Sequence, residues 1–328
     1  MNITFILQAT ILAMIPLMLG ALAGAFSEHS GIINLGLDGE MIIGAFVGCI
    51  FCRGLIESGA FVKNSQWLYI LAMIIAALAG AVFSLLLSFS AIKMKADQTI
   101  GGTAINMLAP ALVLTFGLLF FNGERIPSKA MFQLNYSTYS NKDFGAAVKA
   151  NGILKFFFNE VYISTYIVIV LFIILSIWLY KSKTGTHLRA CGEHPQAAAS
   201  VGINVIKMRY LGATLSGAMA GLAGFIYIAT QTGTEAESNV GGLGFLALAI
   251  MIFGNWKPLW IALGSILFGF VRCLSVIYTS IPFLAALPLP SYFYGMLPYI
   301  IVLIVLVITR KKSGCPKAEG IPYEIGER

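Results

Sequence analysis

Charge is what this chain has least of. Asp, Glu, Lys and Arg make up 11% of its 328 residues, where a soluble globular domain carries about 25%. A soluble fold of this length would lack the polar surface it must show to water. With 58% hydrophobic residues and repeated apolar runs of about 18 residues or more, the composition is that of a polytopic membrane protein. The formal net charge of +7 does not point to nucleic acid. The bases cluster beside apolar runs, which is how membrane topology is set.

Other absences narrow the chemistry. There is no G-x-x-x-x-G-K-[ST], so a P-loop for ATP is excluded. There is no H-E-x-x-H, and His29, His187 and His194 lie in or beside polar loops without carboxylates spaced for zinc. Surface or capping roles are expected for all three. No Ser-His-Asp set emerges from spacing, so an enzyme is not supported. The five cysteines are odd in number and give no disulfide framework; Cys49 and Cys52 are expected as small buried residues. Intramembrane acids are scarce. Asp38 and Glu40 stand where a span begins, and Arg53 and Arg272 sit where they can snorkel. That scarcity counts against an ion-coupled secondary transporter. Ala21-Leu22-Ala23 resembles a signal cleavage site, but Met1 to Gln8 holds no Lys or Arg. The apolar run there is too long for a signal core, so it is expected to be the first span.

Nine apolar segments are present: 3–26, 38–56, 68–92, 99–121, 161–180, 208–229, 242–254, 259–279 and 293–309. The fold class expected is all-α, with about 8–10 transmembrane helices. The segment 242–254 spans only about 20 Å as a helix, too short to cross alone. Broken or re-entrant elements are therefore expected near 27–40 and 241–254. Lys181, Lys183, Arg189, Lys207 and Arg209, and later Arg310, Lys311 and Lys312, place two segments in the cytoplasm. The N-terminus then falls outside and the C-terminus inside. The loop 122–160, with Arg125, Lys129, Lys142, Lys149 and Lys155, falls outside despite its bases. One transmembrane domain over 1–309 and a short, poorly ordered cytoplasmic tail over 310–328 complete the outline. Two rows of small residues, Ala213-Gly217-Gly221 and Ala76-Gly80-Ser84, favour close helix packing over a ligand passage.

The segment Lys181 to Gly224 is the most specific. Pro195 suits a first helical position and Gly202 the position after a helix end, with Gln196, Ala197, Ala198, Ala199, Ser200 and Val201 between them. Turns are expected before this short helix. Its smooth face is either an ordinary connector or a docking surface. The stretch "LRACGEHPQAAASVGINV" resembles the cytoplasmic loop of ABC importer permeases of the ribose, galactose, nucleoside and branched-chain amino acid branch. Matching positions include Leu188, Arg189, Gly192, His194, Pro195, Ala197, Ala198, Gly202 and Ile203. "SEHSGIINLGLDGEMIIGAF" is similar to the family's E-R-S-G-x-x-N-L-G-x-E-G-x-M-x-x-G-A, with His29 for the usual Arg and Asp38 for the usual Glu. "GGLGFLALAIMIFGNWKP" resembles a third family block. "ADQTIGGTAINML" departs from its counterpart, keeping Asp97, Ile100, Thr103 and Asn106. The likeness is nearest to the nucleoside and simple-sugar permeases paired with basic membrane lipoproteins.

The resemblance implies a type II-like permease subunit in a bacterial plasma membrane, importing a small polar solute, foremost a nucleoside. Riboflavin or a simple sugar fits the same architecture. The implied partners are an ATP-binding subunit, a second permease (homo- or heterodimer), an extracytoplasmic binding protein or lipoprotein, and membrane lipid. ATP and Mg would be held by the ATPase, with no cofactor on this chain. The coupling helix would comprise Glu193, His194, Pro195, Gln196, Ala197, Ala198, Ala199, Ser200 and Gly202. A neutral polar solute needs donors and acceptors on its path. Asn34, Asp38, Thr103 and Asn106 are the candidates, with the Phe245 ring as a face on which a nucleobase stacks.

Overall fold

A computed structural model describes residues 3–134, 156–281, 286, 290–308 and 314–324. The described chain is all-α and polytopic. Its helices are α1 (Ile3–His29), α2 (Leu37–Glu57), α3 (Gln66–Ile92), α4 (Gln98–Phe121), α5 (Ile163–Lys181), α6 (Lys183–Glu193), α7 (Pro195–Ser200), α8 (Val205–Gln231), α9 (Leu243–Phe253), α10 (Pro258–Ile277) and α11 (Ser291–Ile308). Among the described residues seven helices are long and apolar enough to cross a membrane. The 11-residue α9 rises only about 16 Å and is embedded among longer helices. Two-residue strands β1 (Ile126–Pro127) and β2 (Glu235–Ala236) pair antiparallel.

Helix starts follow from side chains that accept orphan backbone N–H groups. Ser65 caps α3, Asp97 caps α4 through the N–H groups of Thr99 and Ile100, and Asn204 caps α8. The same logic explains a departure from expectation. Turns were expected between Lys181 and His194, yet α6 is a helix, begun by Ser182 accepting from the Gly185 N–H at 2.9 Å.

The centre of the bundle is α8, packed on α3, α1 and α2. The two rows of small residues face one another. A Cβ on Gly221 would sit 2.5 Å from the Ala76 carbonyl oxygen and 2.9 Å from the Gly80 Cα, and Gly217 lies against Ser84. Such rows let backbones meet, which is how helices associate in lipid without a hydrophobic drive. Gly221→Ala is expected to cost about 1–3 kcal/mol through overpacking. It should lower the melting temperature of the detergent-purified protein, and an unchanged melting curve would contradict this crossing. Away from α8, large apolar side chains stand exposed along α3, among them Ile74, Leu78 and Val82, as contact with lipid requires.

Contacts sort the loops onto two ends. At one end lie the bend after α1, the α6–α7 segment, the turn at 254–257 and residues 314–324. At the other, the Gln8 side chain donates to the Phe156 and Asn159 carbonyls, and Met131 N–H donates to the Lys63 carbonyl. The shared placement of the α6–α7 segment and the tail matches the basic-residue pattern. Arg310, Lys311, Lys312, Lys142, Lys149 and Lys155 lie outside the described residues. Two expectations need correction. The tail is not loose over 314–324: Ala318 is buried and its N–H donates to the Gly192 carbonyl at 2.8 Å. His29 is not a surface residue but is buried edge-on to Tyr180, with the backbone of Gly192 against its carbonyl.

Candidate functional site

The polar stretch after α1 is a break in the membrane fold. α1 ends at His29, and the chain turns at Gly31, whose φ of +91° favours glycine. It then runs without regular structure until α2 begins at Leu37. Its freed backbone groups are satisfied in turn, as burial demands. Ser27 Oγ donates to the Ile32 carbonyl at 2.8 Å, and the Ile33 N–H donates to Gln98 Oε1 at 2.7 Å.

Asn34 is the hub of this break. Its Oδ1 accepts from the Gly36 N–H at 3.0 Å, and its Nδ2 donates to both oxygens of Glu40 (3.1 and 2.9 Å) and to Ser216 Oγ on α8 (3.0 Å). Asn34, Glu40 and Ser216 are each wholly buried. Every hydrogen-bonding group of the amide is thus engaged inside the protein. The Asn34 side chain holds the bend and presents nothing to a solute in this conformation.

Asp38 joins two helix N-termini. It sits in the first turn of α2, and its Oδ1 accepts from the Gly244 N–H at 2.8 Å, in the first turn of α9. The backbones touch there, since a Cβ on Gly244 would lie 2.5 Å from the Asp38 Cα. The Gly242 residue before α9 has φ +66°, which turns the chain into the helix. Each N-terminus carries about half a positive charge, which favours an acceptor oxygen such as Asp38 Oδ1 at the start of α9. The junction lies deep. Asn106, which clips α2 by accepting from the Gly39 N–H at 2.7 Å and donating to the Leu35 carbonyl, is eight residues into α4. That is about 12 Å along α4 from its start.

The candidate residues therefore divide. Asn34 is sealed and Asp38 is nearly so, whereas Asn106 is half-buried, Thr103 is exposed one turn earlier on α4, and the Phe245 ring is 49% exposed beside Gly244. The hydrogen bonds of Asn106, Gly39, Asp38 and Gly244 bring α4, α2 and α9 together at one level. Thr103 Oγ1 is bonded to the carbonyls of Thr99 and Ile100. Glu40, Ser216 and Gln98, which complete the break, are missed by sequence reasoning. Glu40 alone gave a signal, as a carboxylate among apolar neighbours. Among the described residues no group of three His, Cys, Asp or Glu is placed to hold a metal.

At the tail end, α7 and its flanks show two faces. Pro195 and Ala198 turn inward, Ala198 packing with Cys191 and Val205. Glu193, His194, Gln196, Ala197, Ser200 and Gly202 are exposed, and Ala199 is intermediate. Burial pushes the Cys191 thiol up to about 11, so it is a neutral packing residue at physiological pH.

Residues 6–306 match a family model described as branched-chain amino acid transport system / permease component. The guanosine ABC transporter permease protein NupQ of Bacillus subtilis (strain 168) is 38% identical over 99% of this chain and 98% of its own length. The nucleoside ABC transporter permease protein NupC of Lactococcus lactis subsp. cremoris (strain MG1363) is 36% identical over 98% of this chain and 99% of its own. A putative glucose ABC transporter permease protein, TsgC13 of Haloferax volcanii, is 26% identical over 83% of this chain and 77% of its own. No solved structure matches significantly.

Proposed function

Because the chain belongs to the branched-chain amino acid transport system / permease component family, we propose that it is the permease subunit of an ATP-driven importer of nucleosides. One observation carries the substrate: near-full-length likeness to a guanosine and a nucleoside permease. The junction supports it, since the exposed Phe245 ring on α9 offers a stacking face, and Asn106 and Thr103 on α4 offer polar groups, to a nucleobase and its ribose. Transporters of other folds also place their substrate sites where helices are broken near the midplane.

ATP is hydrolysed on a separate ATP-binding subunit, docked on the exposed face of α7. A second permease copy or homologue completes the passage, and an extracytoplasmic binding protein delivers the solute. The basic residues from Lys181 to Arg209 put the tail end in the cytoplasm, and the N-terminus outside. Residues 1–309 act as one transmembrane domain. Movement at α7 alternates access by shifting the broken elements against the rest of the bundle.

Phe245→Ala is expected to weaken nucleoside transport about tenfold, from the loss of one base–aromatic stack. Phe245→Tyr should keep it. Uptake of radiolabelled nucleoside into cells carrying each variant measures this, with unlabelled riboflavin and glucose as competitors. Equal uptake by Phe245→Ala would remove the ring from the passage, and competition by glucose or riboflavin alone would replace the substrate.

A further inference from the structure

Residues 314–324 cross the tail end as a strap and touch several of the loops gathered there. The Gly314 N–H donates to Asn255 Oδ1 in the turn between α9 and α10. The Ala318 N–H donates to the Gly192 carbonyl at the end of α6, and the Gly320 N–H donates to the Gly31 carbonyl at 3.2 Å. Gly31 is the turn that opens the break, and Gly192 lies just before α7. Further on, Arg209 of α8 donates from Nη1 to the Ile321 carbonyl at 2.9 Å. Tyr323 packs into the small cluster of Cys191, Ala198 and Val205 that backs α7. Lys95, in the α3–α4 turn, pairs with Glu324.

We propose that this strap is the link by which movement of the α6–α7 segment is carried to the break between α1 and α2, with Tyr323 as its positioning residue at α7. The inference rests on the importer reading above. Its physical core is an asymmetry of forces. Gly192 already lies against the His29 carbonyl, and such a contact transmits a push. Among the described residues no hydrogen bond joins α6 or α7 directly to residues 30–36. A pull needs bonds, and the strap supplies one to each side, two residues apart on one short backbone. Access that alternates has to be driven in both directions, so the return stroke runs through Ala318 and Gly320. Arg209, 1% exposed, lies between the strap and the Gly31 turn.

The test compares wild-type transporter with two variants in proteoliposomes that hold the ATPase, the second permease and the binding protein. One variant stops after Ser313, and the other is Tyr323→Ala, with Tyr323→Phe as its conservative partner. Nucleoside taken up per ATP hydrolysed is the readout, alongside co-purification of the ATPase. In the truncation and in Tyr323→Ala, uptake per ATP is expected to fall about tenfold, within the usual range of coupling between sites. Co-purification and hydrolysis should persist, and Tyr323→Phe should behave as wild type. Unchanged uptake per ATP in both variants would overturn the proposal. So would loss of ATPase co-purification together with uptake, which would make the strap a mere fastening. Absence of ATP-dependent uptake in the wild type would instead sink the importer reading itself.

Discussion

Ala197→Arg is expected to abolish ATP-driven uptake while the chain still inserts and folds. The smooth alanine face inferred from sequence has two sides in the structure. Ala198 is 4% exposed and belongs to the loop's own core with Cys191 and Val205, whereas Ala197 is exposed on the outer side of α7. An arginine at Ala198 would break the loop before it tested any docking. At Ala197 it leaves the loop intact and sets an unpaired charge on the face proposed to dock the ATPase. An uncompensated buried charge costs about 3–5 kcal/mol, a loss of about 100-fold or more in association. The check is co-purification of the ATPase with Ala197→Arg, followed by uptake. Normal yield, lost co-purification and lost uptake are expected. Normal co-purification and uptake would contradict the docking role of α7.

Asn34→Leu is expected to act on the fold before it acts on transport. The Glu40 carboxylate, buried without exposure, takes its hydrogen bonds from the Asn34 amide. Leucine removes that donor, together with the bonds to Ser216 and to the Gly36 N–H. Leaving this buried acid without its donor costs about 1–3 kcal/mol, while replacing both partners by apolar groups is close to neutral. Purified Asn34→Leu should therefore melt well below wild type, and adding Glu40→Met should restore much of the loss. A normal melting curve with lost uptake would show instead that Asn34 meets the solute.

Much of the fold was legible because lipid leaves few options. Apolar runs of spanning length gave the helices, and the short run 242–254 announced α9 as an element unable to cross alone. The rows Ala76-Gly80-Ser84 and Ala213-Gly217-Gly221 announced a close crossing, although not that each row was the other's partner. The break at 27–40 was readable from its glycines and polar residues. What each polar group does was not, because that depends on residues distant in sequence. Ser216 is 182 positions from Asn34, and Gly244 is 206 from Asp38. Two candidates picked for polarity inside the membrane, Asn34 and Asp38, are turned inward to hold the break. Thr103, Asn106 and Phe245 keep open surface beside it. The strap escaped notice for another reason: Pro, Gly and charge at a C-terminus usually signal a loose end. Its order comes from backbone N–H groups that meet the Gly31 and Gly192 carbonyls, which no side-chain pattern records.

The most direct measurement is uptake of a radiolabelled nucleoside by membrane vesicles that carry this chain with its ATPase, second permease and binding protein. ATP should drive accumulation inside, and excess unlabelled nucleoside should abolish it. An inactive ATPase should stop it although this chain is unchanged. Accumulation that persists with the inactive ATPase, or that follows an imposed ion gradient in its place, would contradict the account.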